Sequence, residues 1–447
     1  MIRRLLARLL PGTPARTPRI YPPDRHDVRK EQLGNAARTV IRRLQEEGFR
    51  AFVVGGAVRD LLLRIPPKDF DIATDATPEQ VKPLFRRAFI IGRRFRLVHV
   101  HVGGEVLEVS TFRAAQTGDD ATDEHGRLLS DNVYGSQAED AARRDFTINA
   151  LYFDPETESI WDYVGGMPDI RARRLKLIGP PVTRYREDPV RMLRAVRLAA
   201  KLGLAIERRT EEPITRLAPL MQNVPPARLF DEMQKLLLSG HAVETVRSLR
   251  AHGLSRGLLP LLDVILEQPL GQKFVDCALE GTDARVRDDK GVSPAFLFAA
   301  LLWHEVLGTW KAAQERGERA LPALFDAMDH VLSAQAERIA IPRRFEATIK
   351  EIWSLQPRFE QRAGARPARL LEQPRFRAAY DFLLLRGESG EVPRALVDWW
   401  TRFQTATDEE RQAMLKPDEA PKKRRRSRSR RKHTEPAAEG AAPPAEE

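Results

Sequence analysis

The stretch FVVGGAVRDLLLRIPPKDFDI, Phe52 to Ile72, constrains the fold more than any other part of the chain. It opens with Phe52-Val53-Val54, too short a run for a helix and branched enough at Cβ for a buried strand. Gly55-Gly56 then lets the backbone turn tightly. Ala57 to Leu63 has helical spacing, with Val58, Leu61 and Leu62 on one face. A strand that passes through two glycines into a helix aims unpaired N–H groups and a positive dipole end at whatever lies above, which suits a phosphate. Pro66-Pro67 breaks the chain, and Asp69-Phe70-Asp71-Ile72 reads as an alternating strand. Asp69 and Asp71 share one side of it, while Phe70 and Ile72 face the core.

Two adjacent carboxylates repel, and one of them titrates high. A divalent cation relieves that repulsion, and Mg²⁺ is the usual choice beside triphosphates. A glycine turn alone, or an Asp-x-Asp pair alone, is an ordinary feature. In this order they make a phosphate cradle followed by a metal clamp.

The chain is long enough, at 447 residues, for two or more domains, and 42% of it is hydrophobic. One cysteine, Cys277, excludes a disulfide scaffold and a cysteine-based zinc site, and suits a reducing cytosol. The net charge of +11 favours polyanionic partners. Nine of the Lys and Arg residues fall in PKKRRRSRSRRK, Pro421 to Lys432. No apolar run approaches the ~20 residues of a membrane span, so no stable membrane insertion is expected. The N-terminal MIRRLLARLLPGTPARTP is too short and too charged for a signal-peptide core and reads as an unstructured leader.

In chain order, residues 1–30 form a flexible leader and 31–160 a catalytic head. Helical periodicity spans Gln32 to Glu47, and Thr77-Pro78-Glu79-Gln80 carries the signature of a capping box. GRRFRLVHVHV and Val106 to Phe112 alternate as strands, which puts Glu108 between apolar neighbours and in need of a partner. His99 and His101 face the same way, without a third ligand nearby. Residues 115–131 read as a mobile loop. Residues 161–245 form a neck that opens a helix with Asp188 as N-cap and Pro189 in the first turn. Residues 246–416 form a helical body, and 417–447 a disordered basic tail.

GGAVRDLLL followed by KDFDIAT resembles the polymerase-β-like nucleotidyltransferases of the class that contains bacterial poly(A) polymerases and CCA-adding enzymes. GRRFRLVHV and DNVYGSQAEDAARRDFTINAL are similar to the bacterial poly(A) polymerase versions of the class motifs. The resemblance implies an α/β plus α chain: a polymerase-β-like head with a mixed sheet, then an all-helical neck and body. It implies that Asp69 and Asp71 hold Mg²⁺, and that Gly55, Gly56 and Arg59 contact the triphosphate of ATP. RRDFTIN carries over Asp145 as a further catalytic acid and Arg144 as a nucleotide contact, with Glu108 as the rival third metal-site acid on geometry. Asp188 and Arg191, at i and i+3 and so expected on one helix face, match the motif that reads the incoming base, and Arg194 is counted with the nucleotide contacts. An acceptor–donor pair of this kind fits adenine and cytosine and rejects guanine and uracil.

The resemblance thus points to template-independent addition of AMP to RNA 3′ ends in the cytoplasm, with pyrophosphate released and RNA turnover as the consequence. RNA-decay proteins are candidate partners of the basic tail. The rivals are CCA addition to tRNA, which would use CTP as well, and a non-catalytic RNA-binding scaffold, against which the intact Asp69/Asp71 pair speaks.

Overall fold

The computed structural model of the chain describes residues 17–92, 96–114, 133–257 and 268–415. Residues 1–16 of the expected leader, the 115–131 loop and the 417–447 tail lie outside these residues.

Eight short strands make one mixed sheet. They are β1 (Arg19–Tyr21), β2 (Ala51–Val54), β3 (Asp71–Thr74), β4 (Ala88–Ile91), β5 (Leu97–Val102), β6 (Glu105–Thr111), β7 (Leu151–Asp154) and β8 (Ser159–Asp162). Their order across the sheet is β1-β8-β7-β2-β3-β6-β5-β4. β3 and β6 run parallel, with Asp71 opposite Glu108, and the other neighbours run antiparallel.

Side-chain alternation divides the sheet into two faces. The back face carries Val53, Ile72, Val98, Val100, Leu107 and Val109, all buried. Helix α1 (Asn35–Glu46) covers them with Ala36, Ala37, Val40, Ile41 and Leu44, a helical stripe at the spacing its sequence expects. Each fully buried Val, Ile or Leu side chain among these contributes roughly 1.5–3 kcal/mol. The front face is covered over one half only. There Phe52, Val54, Ala73, Phe112, Tyr152 and Trp161 pack with Ala141 into a second, smaller core. Among the described residues nothing fills the other half, over β6, β5 and β4, in that way, and Glu108, Val106 and Phe89 of β6 and β4 are exposed.

Helix α2 (Gly56–Leu62) follows β2 directly, and helix α3 (Gln137–Arg143) starts from a capping box of Ser136 and Glu139. In the neck, α4 (Pro181–Glu187) leads into α5 (Val190–Leu202), and α6 (Pro226–Leu237) packs on α5. The body is built of longer helices, among them α7 (Pro269–Arg287), α8 (Pro294–Glu315) and α9 (Phe376–Ser389). Phe230 of α6 stacks on Phe298 of α8 with ring centroids 5.4 Å apart. One contiguous apolar core runs from the head sheet through α5 into these helices. Among the described residues no helix is long and apolar enough to cross a membrane.

Two sequence expectations change. The last part of the expected leader belongs to the head: β1 adds to the sheet edge beside β8, and Tyr21 and Val28 are buried. The pairing partner supplies this strand, since Pro and Arg around it give no local signal. Asp188 is not the N-cap of α5. It sits one residue earlier in extended conformation, Pro189 takes the cap position, and the Asp188 carboxylate still accepts from the N–H of Val190.

Candidate active site

The site lies where the covered and open halves of the front face meet. Val54, the last residue of β2, pairs with Asp71, the first of β3, so the glycine turn after β2 is next to the carboxylates. Gly55 has φ 78°, a left-handed conformation that a β-substituted residue adopts only with strain. A Cβ built on Gly55 would sit 3.5 Å from Nη1 of Arg144, and one on Gly56 would sit 3.6 Å from Nη2 of Arg59. The turn is therefore flanked by two guanidinium groups. Neither is loose: Arg59 is buried and donates to Asn149 Oδ1 (2.7 Å) and to Asp60, whose Oδ1 is 2.6 Å from its Nη2. Arg144 donates to Asp140 Oδ2 at 2.9 Å and lies over the Tyr152 ring.

Asp69 precedes β3 and is exposed, so the expected four-residue strand begins two residues later than its alternation suggested. Asp71 opens β3 and reaches solvent. Burial by the surrounding protein, with the charges of Glu108 and Asp69, pushes its carboxyl up to about 6 against the pull of Arg144. Glu108 is on the open face with just over half its side chain exposed, and His99 Nε2 is 3.5 Å from its Oε1. Among the described residues no group of three or more His, Cys, Asp or Glu side chains forms a ready-made metal cage. A carboxylate pair short of positive charge is what Mg²⁺ with a triphosphate uses, since that ion takes one or two carboxylates and completes its shell with phosphate oxygens and water.

Asp145 stands elsewhere. Its carboxylate accepts from Phe146 N–H (2.7 Å), Asn149 Nδ2 (3.2 Å) and Arg194 Nε (2.8 Å). Burial opposes its ionisation, but the Arg194 guanidinium and these hydrogen bonds hold it down at about 2. The two residues weighed as third acid thus separate: Glu108 faces Asp71, and Asp145 faces the neck.

On the neck side, Arg191 Nη1 donates to the Arg184 carbonyl (2.7 Å) and to Glu187 Oε2 (2.9 Å). Asp188 accepts from Arg228 Nη2 of α6 at 2.7 Å. Asp188 and Arg191 do not share a helix face, because Asp188 precedes α5.

Three residues here escaped the sequence reading. Asp140 receives Tyr152 Oη (2.7 Å) as well as Arg143 and Arg144, and burial opposes but those partners hold its carboxyl at about 2. Its spacing of three and four residues from two arginines on a helix was the available signal. Arg184 donates to the carbonyls of Arg143 and Arg144, both at 2.7 Å, tying α4 to the segment before Asp145. Asn149 bridges Arg59 and Asp145. Neither has a local sequence signal.

Three family models match the chain: "Poly A polymerase head domain" over residues 51–176, "Probable RNA and SrmB- binding site of polymerase A" over 203–266, and "Polymerase A arginine-rich C-terminus" over 316–433. A protein named Poly(A) polymerase I from Escherichia coli O6:H1 is 46% identical over 438 residues, covering 95% of this chain and 94% of that one. Its namesake from Haemophilus influenzae is 43% identical, covering 91% and 94%. A CCA-adding enzyme of Geobacillus thermodenitrificans is 40% identical over 216 residues only, 48% of this chain and 52% of that one. Among solved structures, the Bacillus stearothermophilus CCA-adding enzyme in complex with CTP is 28% identical, covers 82% of this chain and 81% of that one, and has a TM-score of 0.55. The mixed-sheet head and helical body match that architecture, and the likeness to the poly(A) polymerases extends almost from end to end: the chain is an enzyme of the bacterial poly(A) polymerase family, the RNA nucleotidyltransferases whose head, RNA-binding and arginine-rich segments it carries in order.

Proposed function

We propose that the chain adds AMP from ATP to RNA 3′ ends without a template and releases pyrophosphate. The observation that carries this reading is Asp71, facing Glu108 across the parallel strands and one strand away from the Gly55 turn.

Asp69 and Asp71, with Glu108 as the third acid, would hold Mg²⁺. Bound there, the ion would neutralise triphosphate charge and stabilise the attacking and leaving oxygens. Gly55 and Gly56 let the phosphates approach the backbone, and Arg59 and Arg144 border them with positive charge. Asp145 acts as a positioning residue: it fixes Arg194 where the neck meets the head. Asp188 and Arg191 read the base edge, each preset by a neighbour, Arg228 or Glu187. Positioning and charge neutralisation are most of what phosphoryl and nucleotidyl transfer asks of a protein. RNA engages the neck and body, and the tail of nine basic residues adds phosphate contacts without sequence preference.

The rival reading, CCA addition with CTP and ATP, draws on relatives that match about half their length. Offering the protein an unstructured RNA with each labelled nucleotide separates the two. Long tracts from ATP alone support the reading; addition of C residues, or no addition, opposes it.

A further inference from the structure

Over β6, β5 and β4 the front face of the described residues continues outward from the carboxylates in one cross-strand row. Asp71 pairs with Glu108, Glu108 with His99, and His99 with Phe89 of the edge strand β4. Residues directly opposite one another share a face, so all four side chains stand on the same side as the site. The row ends in apolar and aromatic surface. Phe89 is 54% exposed, and Val106, beside His101, is 49% exposed. The Phe89 and His101 rings meet edge to face at 5.5 Å and 90°. Arg86 and Arg87, both exposed, immediately precede β4. By contrast, the same face over β2, β7 and β8 is filled by its own aromatic core.

Nucleotidyl transfer fixes what must approach this surface. The attacking and leaving oxygens lie roughly in line across the reacting phosphorus. The glycine turn with Arg59 and Arg144, the proposed seat of the leaving pyrophosphate, is on the β2 side of Asp71. The attacking hydroxyl then comes from the opposite side, over β6, β5 and β4. Phe89 is three strand spacings from Asp71, about 14 Å. That reach passes beyond the terminal ribose to the bases just upstream of it.

We propose that Phe89 and His101 form a stacking platform for the RNA bases immediately upstream of the 3′-terminal nucleotide. Aromatic faces accept any base, so the platform gives a template-independent enzyme grip without sequence preference. The inference rests on the polymerase reading above.

The test uses the full-length chain with an oligoadenylate primer and the same primer carrying an abasic penultimate residue. Phe89→Ala should raise the KM for the intact primer about 5- to 150-fold, the range of one lost base–aromatic stack, and leave the KM for ATP unmoved. Phe89→Trp should keep primer binding, and its indole fluorescence should be quenched when primer is added. The abasic primer should cost the unaltered protein a similar factor and cost Phe89→Ala little more. An unchanged primer KM in Phe89→Ala, an undiminished abasic penalty in that variant, or an equal rise in the KM for ATP would each overturn the platform. Absence of AMP transfer by the unaltered chain would instead overturn the polymerase reading on which it rests.

Discussion

Arg194 of the neck and Asp145 of the head are joined by an ion pair of 2.6 Å. It links two segments that lie 49 positions apart, and Asn149 carries the link on to Arg59 beside the glycine turn. The head therefore receives part of its order beside the glycine turn from a helix outside it.

Removing one partner of this pair should cost more than removing both. Arg194 keeps a third of its side chain exposed, so Asp145→Ala should destabilise the fold by about 2–3 kcal/mol, less than a fully buried pair would cost. The Asp145→Ala/Arg194→Ala double variant should unfold at a denaturant concentration no lower than Asp145→Ala alone. Strictly additive losses in denaturant titrations would mean that the two residues are not coupled.

Acid should unfold the head through Asp140 and Asp145. Both carboxyls are held at about 2, below their ordinary 3.8, so the native state favours their charged forms. Their contribution is fully present above about pH 4 and is lost as the pH falls from there through about 2. Asp140→Asn should reduce the slope of stability against pH in that window by up to about 1.4 kcal/mol per pH unit. Equal slopes for the two proteins would place the acid sensitivity elsewhere.

Base selection is expected to rest on Arg191. Arg191→Ala should raise the KM for ATP about 10-fold, the worth of a charged hydrogen bond, and relax discrimination against the other nucleotides. Competition between labelled nucleotides measures this, and an unchanged preference would free the residue from that role.

The central stretch was legible because local rules suffice there. An apolar run, two glycines and a helical stripe each report on their own neighbourhood, and β2 and α2 follow them; β3 follows too, but starts at Asp71, so Asp69 and Phe70 precede the strand the alternation predicted. The alternation around Glu108 also allowed the placement beside Asp71 that the sheet shows. What stayed hidden depends on distant partners. β1 exists because β8 offers it an edge, and the Asp145–Arg194 and Arg59–Asn149 contacts join residues far apart in sequence. The start of α5 differed for a local reason. Pro189 lies at its cap position, so Asp188 falls outside the helix and approaches Arg228 rather than sharing a face with Arg191.

Asp71 as a reacting-centre carboxylate is tested most directly by the isosteric change Asp71→Asn. AMP incorporation into an unstructured RNA is measured beside the thermal unfolding midpoint and RNA affinity. Incorporation should fall by about 100-fold or more, because several kcal/mol of charge stabilisation depend on this acid, while the midpoint and RNA affinity are retained. Near-normal incorporation by folded Asp71→Asn protein would contradict it.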